Sequence, residues 1–287
     1  MRKLLARLIV AFAKFATIGF HNVRRIDVLM RVRNGLEREV KTELSVVLPH
    51  GARILFCDDT GSSFGIIRDC QLAEPDTAAW IDSIPQDGVL WDIGANIGFF
   101  TLYAASLLSR DGVRVVAFEP AAANYGALNR NIEWNAMGNH AVAYCVALAG
   151  TTRTGRLNMD VDGGGTDAGC FYNGFESEVR PFDRIITPQF RQSSVGFSID
   201  DFVDMFQPPL PTHVKLDVDN IEAQILRGGR RTLSAHSVQS IILEMEGDLD
   251  SPRNRELFAV MAELGFAPLP KQSPELRNVI FERPRGA

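Results

Sequence analysis

The chain has 287 residues, a formal net charge of −5, 46% apolar residues and 23% charged residues. Those values describe a folded domain and exclude both a disordered chain and a general nucleic-acid binder, which would be basic. Cys57, Cys70, Cys145 and Cys170 show no Cys-x-x-Cys spacing, so neither a zinc module nor a disulfide framework is indicated, and a reducing cytoplasm suits them.

In chain order, residues 2–20 are apolar but interrupted by Lys3, Arg7 and Lys14. No uninterrupted run reaches the roughly 18 to 20 residues that span a bilayer. At about 100° per residue, those three cations share one helix face, and Leu4, Leu8, Phe12 and Phe15 share another. The pattern predicts a basic amphipathic helix over 1–25, extended in charge by Arg24 and Arg25. It packs either on protein, its own domain or a second subunit in a homo-oligomer, or on the anionic inner surface of a membrane. Residues 26–75 alternate over 26–32, 44–48, 53–56 and 64–67, with turn residues at 49–51 and 58–61, which predicts a small β cap.

From residue 76 to 287 the pattern becomes strand and helix in turn. A helix over 76–84 precedes a strand over 88–93 and a helix over 97–109. Strand 113–118, helix 122–137 and strand 141–147 follow. A polar stretch over 150–195, containing Gly163, Gly164 and Gly165, is too long for a plain connector and is expected to be a lid or substrate loop. Then come helix 199–206, strand 212–218, helix 220–234, strand 238–245, helix 252–264, and a strand pair near 266–269 and 278–283. This alternation predicts an α/β fold, a Rossmann-like, doubly wound and mostly parallel sheet with helices on both faces.

The richest stretch is Gly-Val-Leu-Trp-Asp-Ile-Gly-Ala-Asn-Ile-Gly, residues 88–98. A buried strand ends at Asp92, and Gly94, Asn96 and Gly98 follow at alternate positions before a helix. Such a turn lets a nucleotide-like ligand approach the backbone. A dinucleotide loop would read Gly-x-Gly-x-x-Gly and hold pyrophosphate. Here the acidic Asp92 opposes a pyrophosphate and suits the ammonium of a methionine moiety. Glu119, at the end of the next strand, is placed to bind ribose hydroxyls in either class of ligand.

Residues 91–101, Trp-Asp-Ile-Gly-Ala-Asn-Ile-Gly-Phe-Phe-Thr, with Ala-Phe-Glu-Pro at 117–120, resemble the FkbM family of S-adenosylmethionine-dependent methyltransferases. Asn131-Ile132-Glu133-x-Asn135, Val146-Ala147-Leu148 and Ser198-Ile199-Asp200-Asp201-Phe202 extend the likeness. Lys215-Leu216-Asp217-Val218-Asp219-Asn220-Ile221-Glu222, then Ile225-Leu226-x-Gly228-Gly229, resembles the family's most characteristic segment; Asp219 stands where many members carry Glu, and Asn220 where Gly is usual. Residues 241–244 and 278–281 resemble its last strands, so the likeness runs over about 70–283. It implies S-adenosylmethionine held by Asp92, Gly94, Asn96, Gly98 and Glu119, with adenine beside Ala147. It also implies methyl transfer, commonly to oxygen.

An alcohol acceptor must lose a proton as it is methylated, which calls for a general base or a metal. Asp217 at the fourth strand's end is the first candidate, with Asp219 and Glu222 beyond it; the alternative role for these carboxylates is to favour a helix N-terminus. Lys215 either faces the same site or forms a structural ion pair. Asp217, Asp219, Glu244 and Glu246 could form an oxygen-rich divalent site, though a metal is not favoured. His50, His140 and His213 read as surface residues. The expected acceptor is a hydroxyl on a sugar, lipid-linked glycan or secondary metabolite. Two other classes remain: an NAD-dependent oxidoreductase or epimerase, and a non-catalytic cofactor-binding module. None of Tyr103, Tyr125, Tyr144 and Tyr172 has Lys four residues on, which weighs against the former.

Overall fold

A computed structural model describes residues 43–57, 74–108, 111–160, 172–176, 190–218, 221–245, 248–270 and 278–284, with Ile9, Ala11, Phe12, Phe15, Ile67 and Pro188 as isolated positions. The chain divides into two units, residues 1–43 and 44–287. In the first, Ile9, Ala11, Phe12 and Phe15 are helical, and Phe12 and Phe15 are exposed. The cationic face expected of this helix lies outside the described residues. No helix among the described residues is long and apolar enough to cross a membrane.

In the second unit, β1 (Glu43–Val47) and β2 (Arg53–Cys57) form a two-stranded sheet. They are the described part of the expected β cap; Ile67, expected at a strand end, is helical. α1 (Pro75–Asp82) begins on Pro75, whose missing N–H costs nothing in a first turn. β3 (Leu90–Ile93), α2 (Phe99–Leu107), β4 (Val115–Phe118), α3 (Ala122–Trp134) and β5 (Ala141–Tyr144) then alternate. α3 stops short of the expected residue 137 because Ala136 turns left-handed at φ +53 and the Met137 amide donates back to the Ile132 carbonyl.

The expected strand 141–147 divides. β5 stays in the main sheet, while β6 (Ala147–Leu148) joins β7 (Arg153–Asp160), β8 (Tyr172–Phe175) and β9 (Phe190–Phe197) in a second sheet of order β6-β9-β7-β8. Much of 150–195 is thus a sheet where a loop was expected. Its polar composition hides a period of two: Leu157 and Met159 are buried while Arg156 is exposed.

Next come α4 (Ile199–Phe206), capped by the Ser198 hydroxyl accepting the Asp201 amide, and β10 (His213–Leu216). The expected helix 220–234 is two helices, α5 (Glu222–Gly228) and α6 (Arg230–Leu233), broken at the Gly228-Gly229 pair. A Cβ at 228 would press on the Ala149 carbonyl oxygen at 2.7 Å, so the break lets this turn lie against the chain after β6. β11 (Ser240–Glu244), α7 (Pro252–Glu263), β12 (Ala267–Pro268) and β13 (Asn278–Glu282) complete the unit.

The main sheet runs β12-β13-β11-β10-β3-β4-β5, parallel except for β13. Numbered within this sheet alone, the order is 3-2-1-4-5-7-6 with the seventh strand antiparallel. The dinucleotide-binding order is 3-2-1-4-5-6, so an antiparallel strand has been inserted before the last. The order reverses between β3 and β10, and in such sheets the crevice beyond those carboxyl ends is where ligands bind. Alternate strand residues feed two cores: Trp91, Ile93, Val116, Phe118, Val214 and Leu216 on one face, and Leu90, Val115, Ala117 and Ile242 on the other.

Candidate functional site

The pairing register builds the site. Lys215 on β10 lies beside Asp92 on β3, so both side chains leave the same face of the sheet. Asp217, two residues on, returns to that face just beyond the strand. The Lys215 Nζ donates to Asp217 Oδ2 at 2.8 Å and lies 3.7 Å from Asp92 Oδ1. Asp92 is 1% exposed and Lys215 4%, whereas the Asp217 side chain is 32% exposed. The row therefore runs from buried to open. Thr101, on the first turn of α2, donates its hydroxyl to Asp92 Oδ2 at 2.6 Å, and the Phe100 ring lies 5.4 Å from Nζ. Burial pushes the Asp92 carboxyl above its ordinary range, against the pull of Lys215. Burial would lower Lys215, but Asp217, Asp92 and Glu74 outweigh it and hold the ammonium charged.

The turn after β3 explains its own spacing. Gly94, Asn96 and Gly98 take φ +84, +50 and +89. Three alternate residues are left-handed, and the one that is not glycine is asparagine, a residue type that tolerates this region. A Cβ on Gly94 would overlap the Asp217 carbonyl oxygen, and one on Gly98 would overlap Leu128 of α3. Glycine at 94 thus lets Asp217 close on the turn, and glycine at 98 seats α2 against α3. The Asn96 Oδ1 is buried and accepts no hydrogen bond among the described residues.

Glu119, at the end of β4, is 2% exposed. Its Oε2 accepts the Asn96 amide at 2.8 Å, and its Oε1 accepts the Ala121 amide at 2.9 Å. It therefore ties the β3 turn to the start of α3, and a side-chain bond from Asn124 adds to that hold. Burial pushes its carboxyl up to about 7, against those backbone bonds. Beside it opens a shallow cleft lined by Gly94, Pro120, Ala147, Leu148, Leu157 and Phe175.

The Methyltransferase FkbM domain matches residues 92–268, more than half of the chain. The chain belongs to the FkbM methyltransferase family. Among solved structures it is similar to an FkbM methyltransferase from Methylobacillus flagellatus KT, at 14% identity and TM-score 0.44, over 77% of this chain and 53% of that one. It is also similar to a SAM dependent methyltransferase from Aquifex aeolicus, at 9% identity and TM-score 0.40, over 76% of this chain and 95% of that one. A segment of 58 residues, 20% of this chain, is 48% identical to the AMB antimetabolite synthetase AmbE of Pseudomonas aeruginosa, of which it spans only 2%. Membership rests on the match over 92–268, not on these distant or partial likenesses.

S-adenosylmethionine is the cofactor that FkbM membership implies, and one orphaned acceptor of this chain fits it. The buried Asn96 Oδ1 is an acceptor without a partner among the described residues, and the cleft beside Glu119 is mostly apolar. Held there, that cofactor would supply a methyl group activated on a sulfonium.

Two expected residues stand apart. Glu222 is 2% exposed and pairs with Arg253 of α7 at 2.6 Å, a bond that locks α5 to α7. Burial pushes its carboxyl up, opposed by that guanidinium. His213 is buried, not on the surface as expected. It is the first residue of β10, edge-on to Trp80, and burial lowers it to about 4, so it is neutral near pH 7. Asp219 and Glu246 lie outside the described residues. No group of three His, Cys, Asp or Glu side chains suited to a metal gathers among the described residues. Sequence reasoning missed Thr101, Glu74 and Asn278. Thr101 had a signal, since a side chain in a first helical turn leans back over the preceding strand end; Glu74 and Asn278 join only through the fold.

Proposed function

We propose that this methyltransferase methylates a hydroxyl oxygen, on a sugar, a lipid-linked glycan or a secondary metabolite. The observation that carries this reading is the graded row Asp92, Lys215, Asp217. Its inner carboxylate and ammonium are buried, and its outer carboxylate is open at the switch point. An open carboxylate held by a buried cation suits an acceptor that must be oriented through hydrogen bonds and relieved of a proton. The short likeness to an antimetabolite synthetase agrees with the secondary-metabolite branch.

The test is a transfer assay with donor labelled in its methyl group and a panel of sugars, lipid-linked glycans and phenolic metabolites. The expected product carries the label as an O-methyl ether. Label appearing on nitrogen or carbon would overturn the oxygen assignment. The proposal also places the protein at the cytoplasmic face of a membrane, through the basic amphipathic segment at 2–20. Flotation with anionic vesicles should then be lost when Lys3, Arg7 and Lys14 are changed to Glu; unchanged flotation would refute that contact.

A further inference from the structure

Gln192, on β9, joins the second sheet to the loop that follows β4. Its Oε1 accepts the Ala122 amide at 2.9 Å, and its Nε2 donates to the Pro120 carbonyl at 2.7 Å. Both ends of one side-chain amide are therefore spent on the backbone that flanks Ala121, and Ala121 gives its own amide to Glu119. Ala122 is the first residue of α3, where a helix leaves its N–H without an intrahelical partner. A side chain 70 residues away in sequence supplies that partner.

The same sheet carries two residues that line the cleft. Gln192 pairs with Leu157 across β9 and β7, and Leu157 pairs with Phe175 across β7 and β8, so the three side chains share one face. That face turns inward: Leu157 and Phe175 are buried, whereas Arg156, Arg191 and Ser193 of the opposite face are exposed. Phe175 lies close over Gly155 and Gly196, where a Cβ would meet its ring at 2.7 Å and 2.5 Å. Pro120, at the other end of the Gln192 bond, lines the cleft as well. Strand pairing between β6 and β9 covers only Gly196 and Phe197, and Gln192 adds a second point of attachment further along β9. One side chain thus fixes the spacing between Leu157 and Phe175 on the second sheet and Glu119 and Pro120 on the main one.

We propose that Gln192 is a positioning residue for the methyl donor: it fastens the second sheet to the Glu119 loop, so that Leu157 and Phe175 stand at the cleft in register with that carboxylate. It touches neither the donor nor the reacting atoms, and it acts through Pro120 and Ala122. Gln192 is only half-buried and belongs to neither apolar core, so its loss loosens this attachment without unfolding the domain. A polar residue at an inward position of β9, opposite the buried Leu157, is thereby accounted for.

The inference rests on the reading of the cleft as the cofactor site. It is tested by calorimetry of S-adenosylmethionine on the full chain and on variants that keep a native circular dichroism spectrum. Gln192→Met preserves the length of the side chain and removes both bonds, and the dissociation constant should rise about tenfold. Ala122→Pro removes the amide that Gln192 accepts, at a first helical position where proline is accommodated, and should weaken binding about threefold. Because both substitutions break the same bond, the double variant should bind no more weakly than Gln192→Met alone. Ser193→Ala, on the outer face, should keep the wild-type affinity. Unchanged affinity in Gln192→Met, an equal loss in Ser193→Ala, or losses that multiply in the double variant would overturn the inference and leave the cofactor reading standing. Should Gln192→Met not fold, unchanged affinity in Ala122→Pro overturns it equally. Failure of the wild type to bind S-adenosylmethionine would overturn both.

Discussion

The two sides of the switch point are built on different physics. On the β4 and β6 side, the cleft proposed for the cofactor is shaped by backbone and apolar contacts: a left-handed turn, Ala147, Leu148, Leu157 and Phe175. On the β10 side, the row proposed to face the acceptor is a charge arrangement of Asp92, Lys215 and Asp217, braced by Thr101. Shape tolerates substitution that preserves volume, whereas a buried charge cluster does not tolerate loss of a partner. The first side suits a ligand shared by many enzymes. The second suits a particular acceptor.

The comparison breaks hardest at Lys215. Lys215→Ala removes the cation between two carboxylates and should destabilise the protein by about 3 to 5 kcal/mol in urea unfolding, with the loss smaller in acid as the carboxylates protonate. Gly94→Ala strikes the joint between the two sides, because its Cβ would overlap the Asp217 carbonyl at a left-handed residue. It should cost roughly 2 to 4 kcal/mol in the same assay and weaken cofactor binding.

A third outcome concerns pH. Glu74 and Glu119 are raised to about 7 from an ordinary 4.5. Raised carboxyls favour the folded state below the ordinary value, and that advantage is lost as pH climbs through about 7. The cofactor-free protein should therefore lose stability between pH 5 and pH 8, and Glu74→Gln should flatten this slope by roughly 1 to 3 kcal/mol. A slope unchanged by the substitution would show that burial does not raise Glu74 in the folded state. The smallest effect is expected at Arg227, whose 2.7 Å pair with Glu256 leaves both side chains about half exposed. Arg227→Ala should change stability by less than about 1 kcal/mol and leave transfer unaltered.

The geometry of the turn after β3 was largely legible in the sequence. Gly94, Asn96 and Gly98 lie close together, and their spacing follows from alternate left-handed residues in one turn. Glu119 was placed correctly at its strand end, but its bonds to the Asn96 and Ala121 amides were not readable, because they depend on how two loops meet. The second sheet was hidden by polar residues on strands that are half exposed. The acceptor side was legible only in part. Lys215 and Asp217 sit two apart on one strand, so a shared face was foreseeable. Glu74 and Asn278 are 204 residues apart and meet through a side-chain bond between α1 and β13, which no local pattern announces. Glu222 shows the opposite failure: it has the right type and neighbourhood, and Arg253 of α7 has engaged it.

The central claim is that cofactor binding belongs to the cleft and acceptor chemistry to the charge cluster. Calorimetry of S-adenosylmethionine on two full-chain variants, each first checked for a native circular dichroism spectrum, tests it most directly. Val146→Trp, which fills the cleft from a partly buried position, should weaken binding by about a hundredfold or more, whereas Asp217→Asn should stay within about threefold of the wild type. The reverse pattern, with binding kept by Val146→Trp and lost by Asp217→Asn, would contradict this division of the site.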